Sequence, residues 1–152
     1  MRDDRPTVDD ATAGDAGDVA RLFDAYRVFY DRSSDVEGAR RFITERLQRR
    51  TTRFFLARID AAAVGFVHLV PAFDTLAMRP MWILEDLFVD PSYRRRGVGS
   101  ALLRHAEQFA RDNGAGRISL TTAHTNATAQ QLYVAEGYEA DTVFRTYHRT
   151  LD

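Results

Sequence analysis

A glycine turn flanked by cations stands near the middle of the sequence. In "YRRRGVGSALL", residues 93–103, Arg94–Arg96 precede Gly97 and Gly99, and an apolar stretch of helical character follows. The first amides of a helix have no intrahelical partners, and the helix dipole places partial positive charge there. Glycines leave room for an anion and permit left-handed backbone angles. The pattern therefore predicts a turn that binds pyrophosphate.

The glycine spacing fits neither of two common phosphate motifs. The P-loop requires a lysine, and all 21 basic residues of this chain are arginine. The dinucleotide fingerprint requires a third glycine where Leu102 stands. The remaining pattern is Arg/Gln-x-x-Gly-x-Gly/Ala, formed by Arg94, Gly97 and Gly99. By itself this pattern is short, and a solvated arginine run at a turn would match it as well.

Two carboxylates interrupt the apolar strand pattern that leads into this turn. Glu85 and Asp86 lie within "MWILEDLFV", residues 81–89. An unpaired carboxylate in a central strand is costly to bury. One explanation is structural, namely pairing with an arginine or exposure to solvent. The other is chemical, because two acids can hold and deprotonate a cationic amine. Adjacent strand residues point to opposite faces, which predicts different roles for the two acids.

The helices and strands predicted around the glycine turn and the two acids form a mixed α/β pattern. A single domain spanning residues 1–152 is expected from the length, and its predicted order is β-α-α-β-β-β-α-β-α-β. The strand, helix, strand passage in the middle implies at least one parallel pair in a mixed sheet. Helical spacing predicts helices in residues 18–30, 35–50, 100–114 and 126–137. Strands are predicted in residues 53–60, 63–70, 81–89, 117–122 and 142–151, with a loop in 71–80.

The bulk composition excludes several classes of function. A net charge of −1 argues against a nucleic-acid or membrane-surface partner. No apolar run approaches the roughly 20 residues of a membrane span, and no signal-peptide core is present. We therefore expect a cytoplasmic location. We expect no metal, because cysteine is absent and no pair of histidines has ligand spacing: His68, His105, His124 and His148.

A second motif follows the glycine turn by about 25 residues. "NATAQQLYVAEGY", residues 126–138, and "LEDLFVDPSYRRRGVGSALL", residues 84–103, together resemble the GNAT superfamily of N-acetyltransferases. In motif style the sequence is most similar to the polyamine- and histone-type members. The resemblance implies a splayed mixed sheet flanked by helices, acetyl-CoA as the cosubstrate, and an amine acceptor. Members of the family often dimerise, so a homodimer is one expectation, and the oligomeric state stays open.

The resemblance implies a cofactor-binding role for residues that match the family's motifs. The backbone of Leu87, Phe88 and Val89 would hold pantetheine and the thioester. Asn126 would contact pantetheine, although as a helix cap it needs no ligand. The pyrophosphate would lie against the glycine turn, whose residues are Arg94, Arg95, Arg96, Gly97, Val98, Gly99 and Ser100.

The catalytic roles implied by the resemblance fall on two side chains. Tyr133 matches the general acid that protonates the leaving thiolate, whereas helical spacing alone would make it a core tyrosine. Glu85 matches the acid used as base in polyamine-type relatives, and Asp86 is then an acceptor-binding residue. Some similar sequences carry a neutral residue at the first position, which would give the base role to Asp86. Tyr30 and Tyr147 are candidates for the acceptor pocket.

The predicted function is acetyl-CoA-dependent N-acetylation of a primary amine, most simply of a small molecule, by direct attack on the thioester. One alternative is a non-catalytic module that senses acyl-CoA, which would need the glycine turn but neither Tyr133 nor the acids. A second alternative is an acetyltransferase that acts on a protein or peptide amine. An RNA-binding role for "YRRRG" is disfavoured by the net charge of −1.

Overall fold

The computed structural model describes residues 3–152. Its helices are α1 (Ala16–Phe29), α2 (Val36–Arg49), α3 (Val98–Asp112) and α4 (Ala127–Ala135). Its strands are β1 (Thr7–Asp10), β2 (Arg53–Ile59), β3 (Ala62–Asp74), β4 (Arg79–Val89) and β5 (Arg117–Leu120). Short 3-10 turns precede α1 and follow β4 at Ala13–Asp15 and Pro91–Tyr93.

The five strands form one mixed sheet in the order β1-β2-β3-β4-β5. The first four strands pair antiparallel, and β4 pairs with β5 in parallel. The parallel pair is joined through α3, because strands that run in the same direction need a crossover connection. The predicted mixed α/β fold is confirmed.

The chain divides into two compact units. The first ends at Thr121 and contains the whole sheet with α1, α2 and α3. The second runs from Thr122 to Asp152 and contains α4. That all 152 residues act as a single domain stays a prediction.

Apolar side chains of the strands are buried on both faces of the sheet. On one face, α1 and α2 cover a continuous core that includes Val19, Leu22, Ile43, Phe54, Leu56, Phe66 and Phe88. On the other face, the ring of Phe55 meets His105 and Phe109 of α3 at 4.6 Å and 5.1 Å between centroids. Each fully buried large apolar side chain contributes about 1.5–3 kcal/mol relative to exposure. Packing on both faces holds the sheet in position, and with it β4, the strand that carries the candidate site.

The predicted strand at residues 142–151 is not observed. The described residues 122–152 contain no strand, and the prediction of a closing strand is wrong. The apolar side chains of this segment are between 72% and 82% exposed: Val143, Phe144, Tyr147 and Leu151. Alternation indicates only which side chains would share a face. A strand also needs a neighbour that takes up its N–H and C=O groups, and the sequence pattern does not reveal one.

The predicted loop at residues 71–80 is also shorter than expected. β3 continues to Asp74 and β4 begins at Arg79, with Pro71 opposite Trp82. The pairing of β3 with β2 ends at Leu69, so beyond that point one side of β3 is an open edge. Edges tolerate proline because an amide there needs no ladder partner.

Asp24 joins the end of α1 to the start of α2. It is only 8% exposed, yet its carboxylate accepts hydrogen bonds from Ser34 Oγ and the Asp35 amide, both at 2.7 Å. These two hydrogen bonds, that of Ser34 first, lower the pKa of Asp24 below its usual value. The short α1–α2 connection is therefore anchored by one buried carboxylate.

Replacing Asp24 by asparagine is expected to lower the free energy of unfolding by about 1–3 kcal/mol near pH 7, because two donors then face a weaker acceptor. Since the folded-state pKa is depressed, the contribution of the carboxylate is present above the unfolded pKa of about 3.9 and is lost as the pH falls through the folded value. Urea unfolding of the wild type and of the Asp24 variant at pH 7 and at pH 3 measures the difference between their free energies of unfolding. This difference should be smaller at pH 3.

Asp18→Asn is the matched control for this measurement. Asp18 lies on the same helix but is exposed, and its carboxylate is 4.0 Å from Arg21. An exposed pair of this kind contributes at most about 1 kcal/mol. Equal stability of wild type and the Asp24 variant at pH 7 would show that the anchor is unimportant.

Candidate active site

β4 separates from β5, the last strand of the sheet, about halfway along its length. β4 pairs with β5 only from Met81 to Leu84. From Glu85 to Val89 its pairing continues on the β3 side alone, so its other edge has no strand partner among residues 3–152. Backbone N–H and C=O groups along such an edge are available to an extended ligand.

A β-bulge marks the point where the strands separate. Leu84 lies opposite Leu69 and Asp86 lies opposite His68, so Glu85 is the extra residue of β4. A bulge changes the direction in which the neighbouring side chains point. Glu85 is exposed, whereas Asp86 is half-buried on the face that carries Phe88. The simple alternation assumed from the sequence therefore does not apply across the two acids, although they do differ in their surroundings.

Asp86 belongs to a chain of three polar side chains. Its Oδ2 lies 2.8 Å from His68 Nδ1, and His68 Nε2 lies 2.9 Å from Thr52 Oγ1. The His68 ring is buried and stacks on Phe54, with 4.0 Å between centroids and 5° between planes. The sequence pattern indicated only that His68 lacks the spacing of a metal ligand. Its place as the one polar side chain in the run "VGFVHLV" was a signal that it needs a buried partner.

The glycine turn supplies the N-terminus of α3. Gly97 is the N-cap, with a left-handed φ of 77°, and no side chain caps the helix. A Cβ added to Gly97 would meet nothing within 4 Å, so the space beside this residue is open. Gly99 lies inside the first helical turn and has no positive φ. Of these two glycines, only Gly97 uses the left-handed backbone that glycine permits.

A third glycine brings this helix against the end of β4. A Cβ at Gly65 of β3 would lie 2.9 Å from the Phe88 carbonyl oxygen and 3.2 Å from the Val98 side chain. No real Cβ makes the first contact, so only glycine permits this approach. Val98 itself is 2% exposed. The uncapped amides of α3 are thus held beside the unpaired edge of β4.

The arginines of the turn differ in what they contact. Arg94 Nε donates a hydrogen bond to the Val89 carbonyl oxygen at 3.2 Å, and its guanidinium lies over the rings of Phe29 and Phe88. Arg95 has a left-handed φ of 64°. The guanidinium of Arg96 lies 5.3 Å from the Tyr93 ring centroid. In this conformation, Arg94 links the turn to the end of β4.

Tyr30 belongs to an aromatic group near the same end of β4. Its ring meets those of Tyr26 and Phe29 edge-on, each at 5.1 Å. The Tyr26 ring in turn packs on Phe66 and Phe88. The structure therefore brings Tyr30 and the β4 residues into one region of the first unit.

The other predicted site residues lie in the second unit. Asn126 is the N-cap of α4, and its side chain accepts a hydrogen bond from the Ala129 amide at 3.1 Å. Tyr133 is buried, with its ring 5.9 Å from that of Tyr138. Tyr147 is exposed within the segment that was predicted as a strand. Asn126 thus has the capping role that the sequence allowed.

Residues 3–152 contain no group of three histidine, cysteine, aspartate or glutamate side chains arranged to hold a metal ion. Within the same residues, no helix has the length and apolar character needed to cross a bilayer.

One known protein family matches most of the chain. Residues 19–138 match the acetyltransferase (GNAT) family. The chain belongs to the GNAT family. Its mixed sheet flanked by helices is that of a GNAT acetyltransferase, and the protein is an N-acetyltransferase.

Individual relatives of this GNAT protein agree with the assignment. It is 40% identical over 137 residues to the uncharacterized N-acetyltransferase YhfO of Bacillus subtilis (strain 168), covering 90% of this chain and 92% of that one. The crystal structure of a probable acetyltransferase superimposes with a TM-score of 0.90 at 34% identity, over 96% and 98% of the two chains. The aminoglycoside N(6')-acetyltransferase type 1 of Salmonella typhimurium (strain LT2) is 30% identical over 88 residues, or 56% of this chain and 61% of that one.

Proposed function

We propose that this GNAT protein transfers the acetyl group of acetyl-CoA to a primary amine of a small molecule by direct attack on the thioester. The observation that carries the proposal is the unpaired edge of β4 from Glu85 to Val89, which lies beside the uncapped N-terminus of α3. The edge of β4 offers backbone groups to an extended chain, and the N-terminus of α3 offers amides to an anion. Acetyl-CoA has both features.

The cofactor is proposed to bind along these two elements. The pyrophosphate lies against the amides from Arg94 to Ser100, where Gly97 leaves open space. Pantetheine runs along the backbone of Leu87, Phe88 and Val89, and Asn126 contacts it. A β4 amide donates to the thioester carbonyl oxygen and stabilises the negative charge that develops there during attack.

The proposed chemistry needs one base and one acid. The acceptor arrives as an ammonium ion, since amines of this type have a pKa near 10. The carboxylate of Glu85 takes one proton, directly or through water, and the neutral nitrogen attacks the thioester carbon. As the carbon–sulfur bond breaks, the Tyr133 hydroxyl gives its proton to the thiolate, and the second proton, which the attacking nitrogen loses as the amide forms, restores that hydroxyl. The products are the acetylated amine, free CoA thiol and one proton for solvent.

A small amine is the proposed acceptor class. The partial similarity to an aminoglycoside acetyltransferase supports an acceptor with primary amino groups. Within the first unit, the half-buried carboxylate of Asp86 and the exposed ring of Tyr30 suit a cation, since carboxylates and aromatic faces both attract ammonium groups. Tyr147 is proposed to add a further aromatic surface.

A homodimer and a cytoplasmic location complete the proposal. The second unit carries four largely exposed apolar side chains in residues 143–151, and β5 pairs on one side only. Exposed apolar segments and open strand edges are surfaces through which copies of a chain associate. The mass of the native protein in solution tests this association.

Release of free thiol from acetyl-CoA, followed against a panel of amines, tests the proposed function. The panel contains a polyamine, an aminoglycoside, an amino acid and a peptide. The chain has no cysteine and no lysine, so its side chains add no thiol signal and consume no acetyl group through lysine. We expect thiol release with at least one small amine. No release with any amine, together with no heat of binding at millimolar acetyl-CoA, would end the proposal.

Glu85→Gln is expected to lower kcat at neutral pH, because the variant keeps the size of the side chain but loses the base. The pH-rate profile should shift to higher pH, because the acceptor must then lose its proton to solvent before it attacks. Rates from pH 6 to 9 with an active amine measure the change. Glu37→Gln, a similarly exposed acid on α2, serves as the control. An unchanged profile would assign the base role elsewhere.

A further inference from the structure

The chain of Asp86, His68 and Thr52 has a defined direction of hydrogen bonding. An ionised Asp86 only accepts, so His68 Nδ1 donates to it across 2.8 Å. In a neutral ring the other nitrogen is an acceptor, so the Thr52 hydroxyl donates to His68 Nε2 across 2.9 Å. The carboxylate of Asp86 therefore selects the tautomer, and the Thr52 hydroxyl, which can donate or accept, bonds the remaining nitrogen.

The His68 ring has little freedom to move. Its side chain is 8% exposed, it stacks flat on Phe54, and both of its nitrogens are bonded. A hydrogen bond from so constrained a ring fixes one oxygen of Asp86 in space. Within residues 3–152 the other oxygen, Oδ1, makes no hydrogen bond, and 19% of the Asp86 side chain is exposed. That oxygen is available to a bound molecule.

Stability alone gives no reason for this arrangement. Replacing a buried polar pair by apolar residues of similar size is often neutral or stabilising. The neighbours of Asp86 and His68 on this face of the sheet are the apolar rings of Phe54, Phe66 and Phe88, which a further apolar pair would suit. The bulge at Glu85 also places the carboxylate where β4 leaves β5, which is the edge already assigned to the thioester.

We propose that His68 is a positioning residue which holds the carboxylate of Asp86 in the orientation that binds the cationic acceptor. This inference rests on the proposed acetyl transfer to an amine. His68 does not touch the acceptor, and it acts only through Asp86. Thr52 assists by holding the ring through its second nitrogen. The pair determines acceptor affinity, whereas the glycine turn and the backbone of β4 determine cofactor affinity.

The test compares two substitutions of His68. His68→Phe keeps a ring that stacks on Phe54 but removes both nitrogens, and it is expected to raise the acceptor KM by ten-fold or more. His68→Asn places an amide N–H close to the position of Nδ1 and is expected to keep the acceptor KM within about three-fold of wild type. In both variants kcat at saturating acceptor and the affinity for acetyl-CoA should change by less than three-fold.

A double-mutant cycle with Asp86→Asn separates positioning from general damage. If His68 acts through Asp86, adding His68→Phe to Asp86→Asn should raise the acceptor KM little further. Additive effects, or an acceptor KM of His68→Phe within two-fold of wild type, would overturn the inference. If His68→Phe does not fold, Thr52→Val takes its place in the cycle. Thr52→Val is expected to raise the acceptor KM about three-fold in the wild-type background and to leave it unchanged in the Asp86→Asn background.

The failure of this inference can be told from the failure of the proposed function. Wild-type protein that releases no thiol with any amine contradicts the proposed function before any variant is made. Wild-type activity with an unaffected His68→Phe variant contradicts the positioning role alone.

Discussion

Replacing Gly97 by valine is expected to abolish measurable binding of acetyl-CoA while the fold persists. Gly97 has a φ of 77° at the N-cap of α3, and the space where a Cβ would stand is empty. A branched side chain would occupy that space and block an anion from the first amides of the helix. The left-handed backbone adds a cost of about 1–3 kcal/mol, which a folded domain can tolerate. Isothermal titration calorimetry measures the binding.

Gly114→Val is the matched control for the Gly97 variant. Gly114 follows α3 at its other end, about 22 Å away along the 15-residue helix, and has a φ of 72° with nothing within 4 Å of an added Cβ. The control therefore carries the same backbone strain without approaching the turn. Normal binding by the Gly97 variant would place the phosphate site elsewhere. Loss of binding in both variants would trace the effect to destabilisation.

Replacing Tyr133 by phenylalanine is expected to lower kcat by at least ten-fold, towards the roughly 10²-fold that loss of a general acid costs. The ring remains, so its packing in the second unit should be kept, while the hydroxyl that is proposed to protonate the thiolate is removed. The affinity for acetyl-CoA should change little. Steady-state thiol release with a saturating amine measures kcat, and calorimetry measures the affinity.

Tyr138→Phe is the control for this measurement, since its ring is the neighbour of Tyr133 and the same hydroxyl is removed. We expect kcat of this control to stay within two-fold of wild type. If Tyr133→Phe also keeps wild-type turnover, the thiolate leaves unaided or takes its proton from water, and Tyr133 is a packing residue.

Helices and the central strands were predictable because their signals are local. The apolar periodicity of residues 100–114 and the stop at Gly114 indicated α3 within two residues of its observed start, and "RFFLARID" indicated β2. The strand predicted from the alternating pattern of residues 142–151 was wrong because its signal is also only local. Its pattern is local, but a strand depends on a partner that the local sequence does not contain.

The candidate site was predictable wherever one residue type suffices for the role. Glycine adopts a left-handed turn such as that at Gly97 most readily, and Asn126 is a good cap, so both could be located from the sequence. His68 was missed because its role depends on Asp86, which lies 18 positions away along the chain, and on Thr52. Contacts of that kind depend on strand register.

Periodicity, capping residues and glycine spacing are properties of short segments, so the sequence alone indicated a mixed α/β protein with a glycine turn before a helix, and its motifs resembled those of the GNAT family. The surroundings of the two acids depend on the tertiary structure. The pairing of β3 with β4 skips Glu85, exposes it, and turns Asp86 toward His68. Register is set by packing on both faces of the sheet, and a shift of one residue exchanges the faces that neighbouring side chains occupy.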